Sequence, residues 1–276
     1  MRPAPSAAAD QAPAVPQPRP TAAAFFDLDN TFIRGASLFH LARGFAAHHF
    51  VSSRDIARFA YGQLTFRMRG EREDQVSSTR ERALALTAGH SASELRELCV
   101  HIYDDYIAEK IWPGTCALAD LHRRRGEPVW LVTAAPIELA ELVAARLGLD
   151  GALGTKAEAV DGRFTGKLVG DILHGPAKGA AVRELAELKG YELTACHAYS
   201  DSANDLPMLT LVGHPHAINP DHKLRERAEA EGWPVTDYRT GRRLLRAGLP
   251  PAALTGAATG AVAAGVALAK RARAKS

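Results

Sequence analysis

The stretch Ala22-Ala23-Ala24-Phe25-Phe26-Asp27-Leu28-Asp29-Asn30-Thr31 decides the fold. An apolar run enters two acids with no polar alternation along it. Such a run reads as a strand buried on both faces, the condition of a parallel sheet covered by helices. The acids then stand at the C-terminal edge of that strand. Open α/β sheets bind their ligands in the crevice outside this edge.

Further strands are expected at 128–133, at 195–200 and, more weakly, at 216–219. Helical patterns fill 114–125, 136–147, 177–189 and 206–211, with Pro136 at the permitted first turn. Strands alternating with helices predict an α/β, Rossmann-like parallel sheet covered by helices on both faces. Two insertions interrupt the alternation. Residues 35–111 pattern as helices with one apolar side, which reads as a helical cap inserted after the first strand. Residues 153–170 carry Asp161-Gly162 between β-compatible runs, the mark of a small β-hairpin flap. The core is therefore expected to comprise 21–34 and 112–240.

Prolines at 3, 5, 13, 16, 18 and 20 make residues 1–20 a disordered Pro/Ala-rich arm, without the apolar centre of a secretory signal. Residues 241–276 form an Ala/Gly-rich tail. Its segment 252–269 has no charge and is followed by Lys270, Arg271, Arg273 and Lys275. That length is near the minimum for a membrane span, yet Ala and Gly are feebly apolar. Membrane contact through the tail and a soluble tail both stay open.

Hydrophobic residues make up 46% and charged residues 24% of the 276, which excludes wholesale disorder and multi-span membrane architecture. The net charge of +3 is local: removing the four tail cations from 34 Lys and Arg leaves 30 against 31 Asp and Glu. A body so near neutrality does not suggest nucleic acid as a partner. Three scattered cysteines (Cys99, Cys116 and Cys196) suit a reducing, cytoplasmic setting.

Asp27 and Asp29 lie two apart on a strand, so both side chains face the same way. Carboxylates that close repel unless a cation joins them or one takes a proton. A second acidic group, Asp201-Ser202-Ala203-Asn204-Asp205, follows another expected strand. Helix capping by Asp201 or Ser202 would use one of these residues, not four polar groups in five. Together the two groups offer hard oxygen ligands, which suits Mg²⁺. Thr133-Ala134-Ala135-Pro136 leads into a helix and supplies a hydroxyl and N–H groups for an anion. Lys178 stands near a helix N-terminus, where its charge opposes the dipole, a placement that phosphate would justify. His48-His49 are adjacent on a helix and diverge by about 100°, which argues against joint metal ligation.

In this order, Asp27-x-Asp29-x-Thr31, Thr133, Lys178 and Asp201-x-x-x-Asp205, the chain resembles the haloacid dehalogenase superfamily over about residues 22–240. The large helical insertion and the small hairpin resemble its phosphoserine-phosphatase-like subfamily. The resemblance implies a Mg²⁺-dependent phosphomonoester hydrolase. In it Asp27 is the nucleophile that forms an aspartyl-phosphate, and Asp29 is the general acid and base. Mg²⁺ would be held by Asp27, the Asp29 backbone and Asp201. Thr133, Ala134 and Lys178 would hold the phosphoryl group, with Asn204, Asp205 and Thr31 around the substrate or behind the metal.

The chain also departs from that subfamily. No acid lies within 32–39 to hold a substrate amine, and Thr133-Ala134-Ala135 replaces Ser-Gly-Gly. Phosphoserine is therefore one small phosphorylated substrate among several. Arg34 and Ser37 are candidates to meet it; equally, they read as a surface Arg and a helix N-cap. A lysophospholipid-type phosphate and a non-catalytic Mg²⁺- or phosphate-responsive module are the alternatives. No G-x-G-x-x-G follows the first strand, which disfavours a dinucleotide enzyme. Oligomeric state is not legible.

Overall fold

The computed structural model describes residues 20–48, 50 and 87–239. Six parallel strands form one sheet in the order β3-β2-β1-β6-β7-β8. They are β1 (Ala24–Phe26), β2 (Val129–Pro136), β3 (Gly151–Thr155), β6 (His197–Ser200), β7 (His214–Ile218) and β8 (Val235–Thr236). The chain builds outward from β1 through β2 to β3, then returns to the other side of β1 to lay down β6. This reversal makes β1 the switch point of the sheet, and a crevice opens beyond its C-terminal end.

β1 is central because its side chains serve both faces. Phe26 packs in one core with Leu28, Val129, Leu131 and Tyr199, and its ring stacks on Tyr199 at 4.1 Å. Phe25 points into the opposite core, with Val132, Ala198, Met208 and Leu209. Each fully buried Phe contributes about 2–3 kcal/mol.

The expected helices are present with small shifts of boundary: α3 (Pro113–Arg124), α4 (Ile137–Leu147), α5 (Pro176–Lys189) and α6 (Leu206–Leu209). α7 (His222–Glu231) was not singled out from the sequence; Asp221 caps it by accepting from the Leu224 N–H at 2.7 Å. Two strands were also missed. β3 is short and Gly-containing, and β8 has only two residues, so neither offers a hydrophobic period. β2 runs three residues further than 128–133 suggests, through Pro136.

The hairpin pairs β4 (Ala157–Val160) with β5 (Arg163–Leu168) antiparallel. Asp161 and Gly162 both have positive φ, 50° and 76°, the pair that a two-residue hairpin turn with right-handed twist demands. Its turn meets the start of α2 (Ala92–Ile102), where the Ala92 N–H donates to the Gly162 carbonyl at 2.9 Å.

Within 35–111, the described residues form α1 (Ser37–Ala47), α2, a π-turn at Tyr103–Ile107 and a short 3₁₀ turn. The chain leaves and re-enters the sheet side by side. Ile33 bridges Ile111, the Arg34 N–H donates to the Lys110 carbonyl, and the Trp112 N–H donates to the Phe32 carbonyl. α2 buries Leu95, Leu98, Cys99 and Ile102 in the core that also holds Leu139 and Val143 of α4. Residues 49 and 51–86 of the insertion, the arm before residue 20 and the whole tail lie outside the described residues. Among the described residues, no helix is long and apolar enough to cross a membrane. All three cysteines are free.

Candidate active site

Asp27 follows the last residue of β1, and its N–H continues the ladder by donating to the Tyr199 carbonyl at 2.9 Å. Its carboxylate, 5% exposed, accepts from Lys178 Nζ at 2.5 Å. Lys178 sits in the first turn of α5 and is itself 3% exposed. Its ammonium also donates to Asp205 Oδ2 at 2.8 Å, and the Ser200 hydroxyl reaches the same oxygen at 2.7 Å. A chain of buried groups thus links Asp27, Lys178, Asp205 and Ser200.

Gly179, next to Lys178, allows α5 to come this close. A Cβ there would stand 2.9 Å from the Pro207 carbonyl oxygen, so any side chain would push α5 away from the 203–209 segment.

Asp29 is held from the insertion side. The Ser37 N–H, first in α1, donates to Asp29 Oδ1 at 2.8 Å. The N-cap of α1 is Ala36, so Ser37 serves the acid rather than capping the helix, contrary to the cap reading. Arg34 is committed elsewhere: its guanidinium donates to the Glu109 and Lys110 carbonyls and lies over the Trp112 ring. Both sequence readings of Arg34 thus give way to a brace at the base of the insertion.

Asp201 follows β6. Its carbonyl accepts from the Asp221 N–H at 2.7 Å, and Asp221 Oδ2 accepts from the Ala203 N–H at 3.0 Å. The loop is therefore pinned by the cap of α7. Ser202, not Asp201, supplies the local capping bond, to the Asn204 N–H at 3.3 Å. Asn204 is exposed at the rim, and Asp205 is buried.

The acids feel one another. Burial pushes the Asp27 carboxyl well above its ordinary value; Lys178 opposes this, and Asp205, Asp201 and Asp29 add to it. Burial also raises Asp29, against the hydrogen bonds from Ser37. Asp201 is pushed up to about 7 by burial and by Asp205 and Asp29, against the Asn30 hydrogen bond and Lys178. Burial alone would lower Lys178, but Asp27 and Asp205 outweigh it and hold the ammonium above its ordinary value. Four carboxylates thus crowd around one buried ammonium, and their oxygens are hard donors. That deficit of positive charge and that donor set fit a divalent cation of the Mg²⁺ type.

Thr133 and Ala134 approach from β2, the neighbour of β1. They remain within the extended strand; α4 begins at Ile137, so the helix N-terminus expected to flank them lies further on. Thr133 Oγ1 accepts from the Ala135 N–H at 3.1 Å, so that N–H is taken. Thr31 Oγ1 is buried without a partner, while the Thr31 carbonyl accepts from the Thr115 hydroxyl at 2.7 Å.

Sequence reasoning missed two residues here. Asn219, 1% exposed, donates through Nδ2 to the Asn30 carbonyl and accepts the Tyr238 N–H on Oδ1, both at 2.8 Å. It ties the loop after β1 to the far side of the sheet. His40 is 7% exposed, and neither ring nitrogen has a hydrogen-bond partner. It lies three residues after Ser37, on the same face of α1, close enough to Asp29 and Lys110 to feel both charges. Burial holds it below the usual imidazole range. A three-residue helical spacing from Ser37 was the only available signal.

Known proteins resemble this chain over most of its length. Residues 24–210 match the family model of haloacid dehalogenase-like hydrolases. Phosphoserine phosphatase SerB1 of Mycobacterium tuberculosis (strain H37Rv) is 52% identical over 265 residues, covering 95% of this chain and 85% of that protein. The crystal structure of a Bordetella pertussis Tohama I protein of unknown function superposes with a TM-score of 0.70 at 31% identity, covering 78% of this chain and 98% of that one. A phosphoserine phosphatase solved as a phospho-aspartyl intermediate analogue shares the fold, with a TM-score of 0.54 at 21% identity over 82% of this chain and 98% of that one. With its acids gathered at the switch point of a parallel sheet and this match over most of its length, the chain belongs to the haloacid dehalogenase-like hydrolase family, among its phosphatases.

Proposed function

We propose that the protein hydrolyses a small phosphorylated metabolite through an aspartyl-phosphate on Asp27, with Mg²⁺ as its cofactor. The observation that carries this reading is the buried Asp27–Lys178–Asp205 chain, which aims an ammonium at the acid that would attack. Held by Asp27, Asp201 and the Asp29 carbonyl, Mg²⁺ would offset the charge of a dianionic phosphate beside carboxylates.

Asp27 attacks phosphorus, and the phosphorus–alkoxide bond breaks as the new bond to the Asp27 oxygen forms. Asp29 gives its proton to the departing alkoxide. Its burial raises its pKa and so favours the protonated acid that this step needs. In the second step Asp29 takes a proton from a water that attacks the aspartyl-phosphate. Inorganic phosphate leaves, and the Asp27 carboxylate is restored. Lys178 bonds the phosphoryl oxygens as charge builds on them, and Thr133 and Ala134 contribute a hydroxyl and an N–H. Asp205 keeps Lys178 in place and orients ligands behind the metal, while Asn204 and Thr31 bound the phosphate pocket.

In this reading His40, buried and unpartnered on α1 near Asp29, stands in for the missing acid, which favours a hydrogen-bonding rather than a cationic partner. SerB1 is named a phosphoserine phosphatase, and phosphoserine heads the substrate panel for that reason. Leu38 and Phe39, 54% and 65% exposed beside Ser37, are the observation on the side of a lysophospholipid-type phosphate.

The test is hydrolysis of p-nitrophenyl phosphate, followed by a panel holding phosphoserine, sugar phosphates and lysophosphatidate. Wild type is active with Mg²⁺ and silent with chelator, and Asp27→Asn is folded and inactive. An Asp27→Asn protein turning over at the wild-type rate would remove Asp27 as nucleophile. Phosphate bound tightly without turnover would favour the non-catalytic module.

A further inference from the structure

At the opposite edge of the sheet from the catalytic acids, four of the eleven histidines gather in one patch: His122, His197, His214 and His216. His122 ends α3, and His197 opens β6 next to His214 and His216 of β7. The His122 and His197 rings are 4.6 Å apart, as are those of His197 and His214. Glu127, in the turn between α3 and β2, joins them through a short contact of its carboxylate with His122 Nδ1. Among the described residues, His122, Glu127 and His197 are the one group of three whose ligand atoms all lie within 4.8 Å of one another.

A polar network explains part of this. Glu127, His122 and Tyr199 form a chain in which His122 Nε2 meets the Tyr199 hydroxyl at 2.7 Å. The chain gives no reason for His197 to lie against it with His216 behind, Nδ1 to Nε2 at 3.3 Å. It is instead the arrangement a metal-ligating histidine requires, in which the nitrogen away from the ion is held by a second group. Tyr199 does this for His122, and His216 does it for His197.

We propose that His122, Glu127 and His197 form a second cation site, selective for Zn²⁺ over Mg²⁺. Two imidazoles and one carboxylate are a borderline N₂O donor set, which suits Zn²⁺ and is poor for Mg²⁺. Zn²⁺ with bonds near 2.0–2.1 Å needs donors about 3.4 Å apart, so His122 and Glu127 part slightly while His197 closes in. The His122 proton moves from Nδ1 to Nε2 as the ion takes Nδ1. The Tyr199 hydroxyl then accepts where it had donated, so that bond is kept, while the His122 Nδ1–Glu127 hydrogen bond gives way to two bonds to the ion. Three protein ligands leave a fourth position for water. The site lies one strand's length from Asp201, since β6 has His197 at one end and Asp201 just beyond the other. It does not depend on the mechanism proposed above.

The test uses the full chain, stripped of metal and held in excess Mg²⁺, with Co²⁺ as the optical probe. Wild type is expected to bind one equivalent of Co²⁺ with a visible absorption band that Zn²⁺ abolishes. Asp201→Asn keeps that band. Glu127→Gln and His197→Gln lose it or bind at least about 10-fold more weakly, while still hydrolysing p-nitrophenyl phosphate with Mg²⁺. Tyr199→Phe, which frees the His122 ring, weakens Zn²⁺ binding by about 10- to 100-fold. If His197→Gln does not fold, Glu127→Gln alone decides. No Zn²⁺-sensitive band in wild type, an unchanged band in Glu127→Gln, or loss of the band in Asp201→Asn would each overturn the proposal.

Discussion

Removing the divalent cation should make the protein's stability depend on pH in a direction the site dictates. A carboxyl whose folded-state pKa lies above its unfolded value binds more protons when folded. Its stabilising contribution is complete at acid pH and is lost as pH rises through the folded value. Asp201, moved from 3.8 to about 7, is such a group, and Asp27 is another, raised by burial and by its acidic neighbours against Lys178. The histidines pull the other way. His197 and His216, lowered from 6.5 to about 4, give stability that is present above their unfolded value and is lost as pH falls toward 4. At pH 6.5 their unfolded forms are still half protonated, so from pH 6.5 to 8.5 the two together return about 0.8 kcal/mol and offset much of the carboxyl loss without Mg²⁺. Only the gain on adding Mg²⁺ isolates the carboxyls. From about pH 6.5 to 8.5, Asp201 passes from mostly protonated to ionised, which costs about 1 kcal/mol. Asp27 acts in the same direction. Each kcal/mol corresponds to about 2–4 °C in Tm for a domain of this size. The assay is thermal unfolding of Zn²⁺-free protein at both pH values, with Mg²⁺ or with chelator. The Tm gain on adding Mg²⁺ should grow from pH 6.5 to 8.5, because binding requires the ionised carboxylates. An equal gain at both values, or a larger one at 6.5, would refute the reading of these acids as a cation site.

Three further outcomes follow from the same geometry. Lys178→Met should lower turnover of p-nitrophenyl phosphate by about 10²–10³-fold, since it removes an ammonium from the reacting acid, and a loss under 10-fold would contradict its role. His40→Leu should keep or raise stability, by up to about 1–3 kcal/mol of relieved burial cost read as an unchanged or higher Tm, while raising KM for the physiological substrate; a drop in Tm with KM unchanged would make His40 a packing residue. Gly179→Ala should destabilise by about 1–3 kcal/mol and lower kcat, because its Cβ meets the Pro207 carbonyl and shifts the helix that carries Lys178; wild-type Tm and rate together would show that α5 tolerates the shift.

The central strand and the acids beyond it were legible because their signal is local. An unbroken apolar run, then Asp-x-Asp, is readable within ten residues, and the same holds for β6 with its Asp201–Asp205 loop. Elements whose identity comes from their neighbours were not legible. β3 and β8 exist because β2 and β7 offer them an edge, not through any period of their own. Thr133 was correctly tied to β2, but the bend into α4 was set too early, since Pro136 fits the end of a strand as well as a helix start. Asn219, His40 and the histidine patch were invisible for a further reason. Asn219 and its partner Asn30 are 189 residues apart, the histidines of the patch come from three elements, and His40 shows no partner at all, so only the assembled fold reveals them.

Local rules fail where the site needs them to. Lys178 in the first turn of α5 opposes the helix dipole, at a cost of about 0.3–1 kcal/mol. Two charge-assisted hydrogen bonds, at about 1.5–3 kcal/mol each, outweigh that cost, but only because Asp27 and Asp205 arrive from β1 and from the loop after β6. Asn30 shows the same conflict, with φ at 55° in a residue that bears a side chain. Its Oδ1 accepts the Gly35 N–H, its carbonyl takes Asn219, and its side chain steadies Asp201, so the strained turn is held from three directions. His40 breaks the rule that buried polar groups find partners, and it does so one helical turn from the residue that holds Asp29. Three violations of local preference, each beside one of the four clustered acids, are what a fold shows where geometry is kept for chemistry rather than for stability.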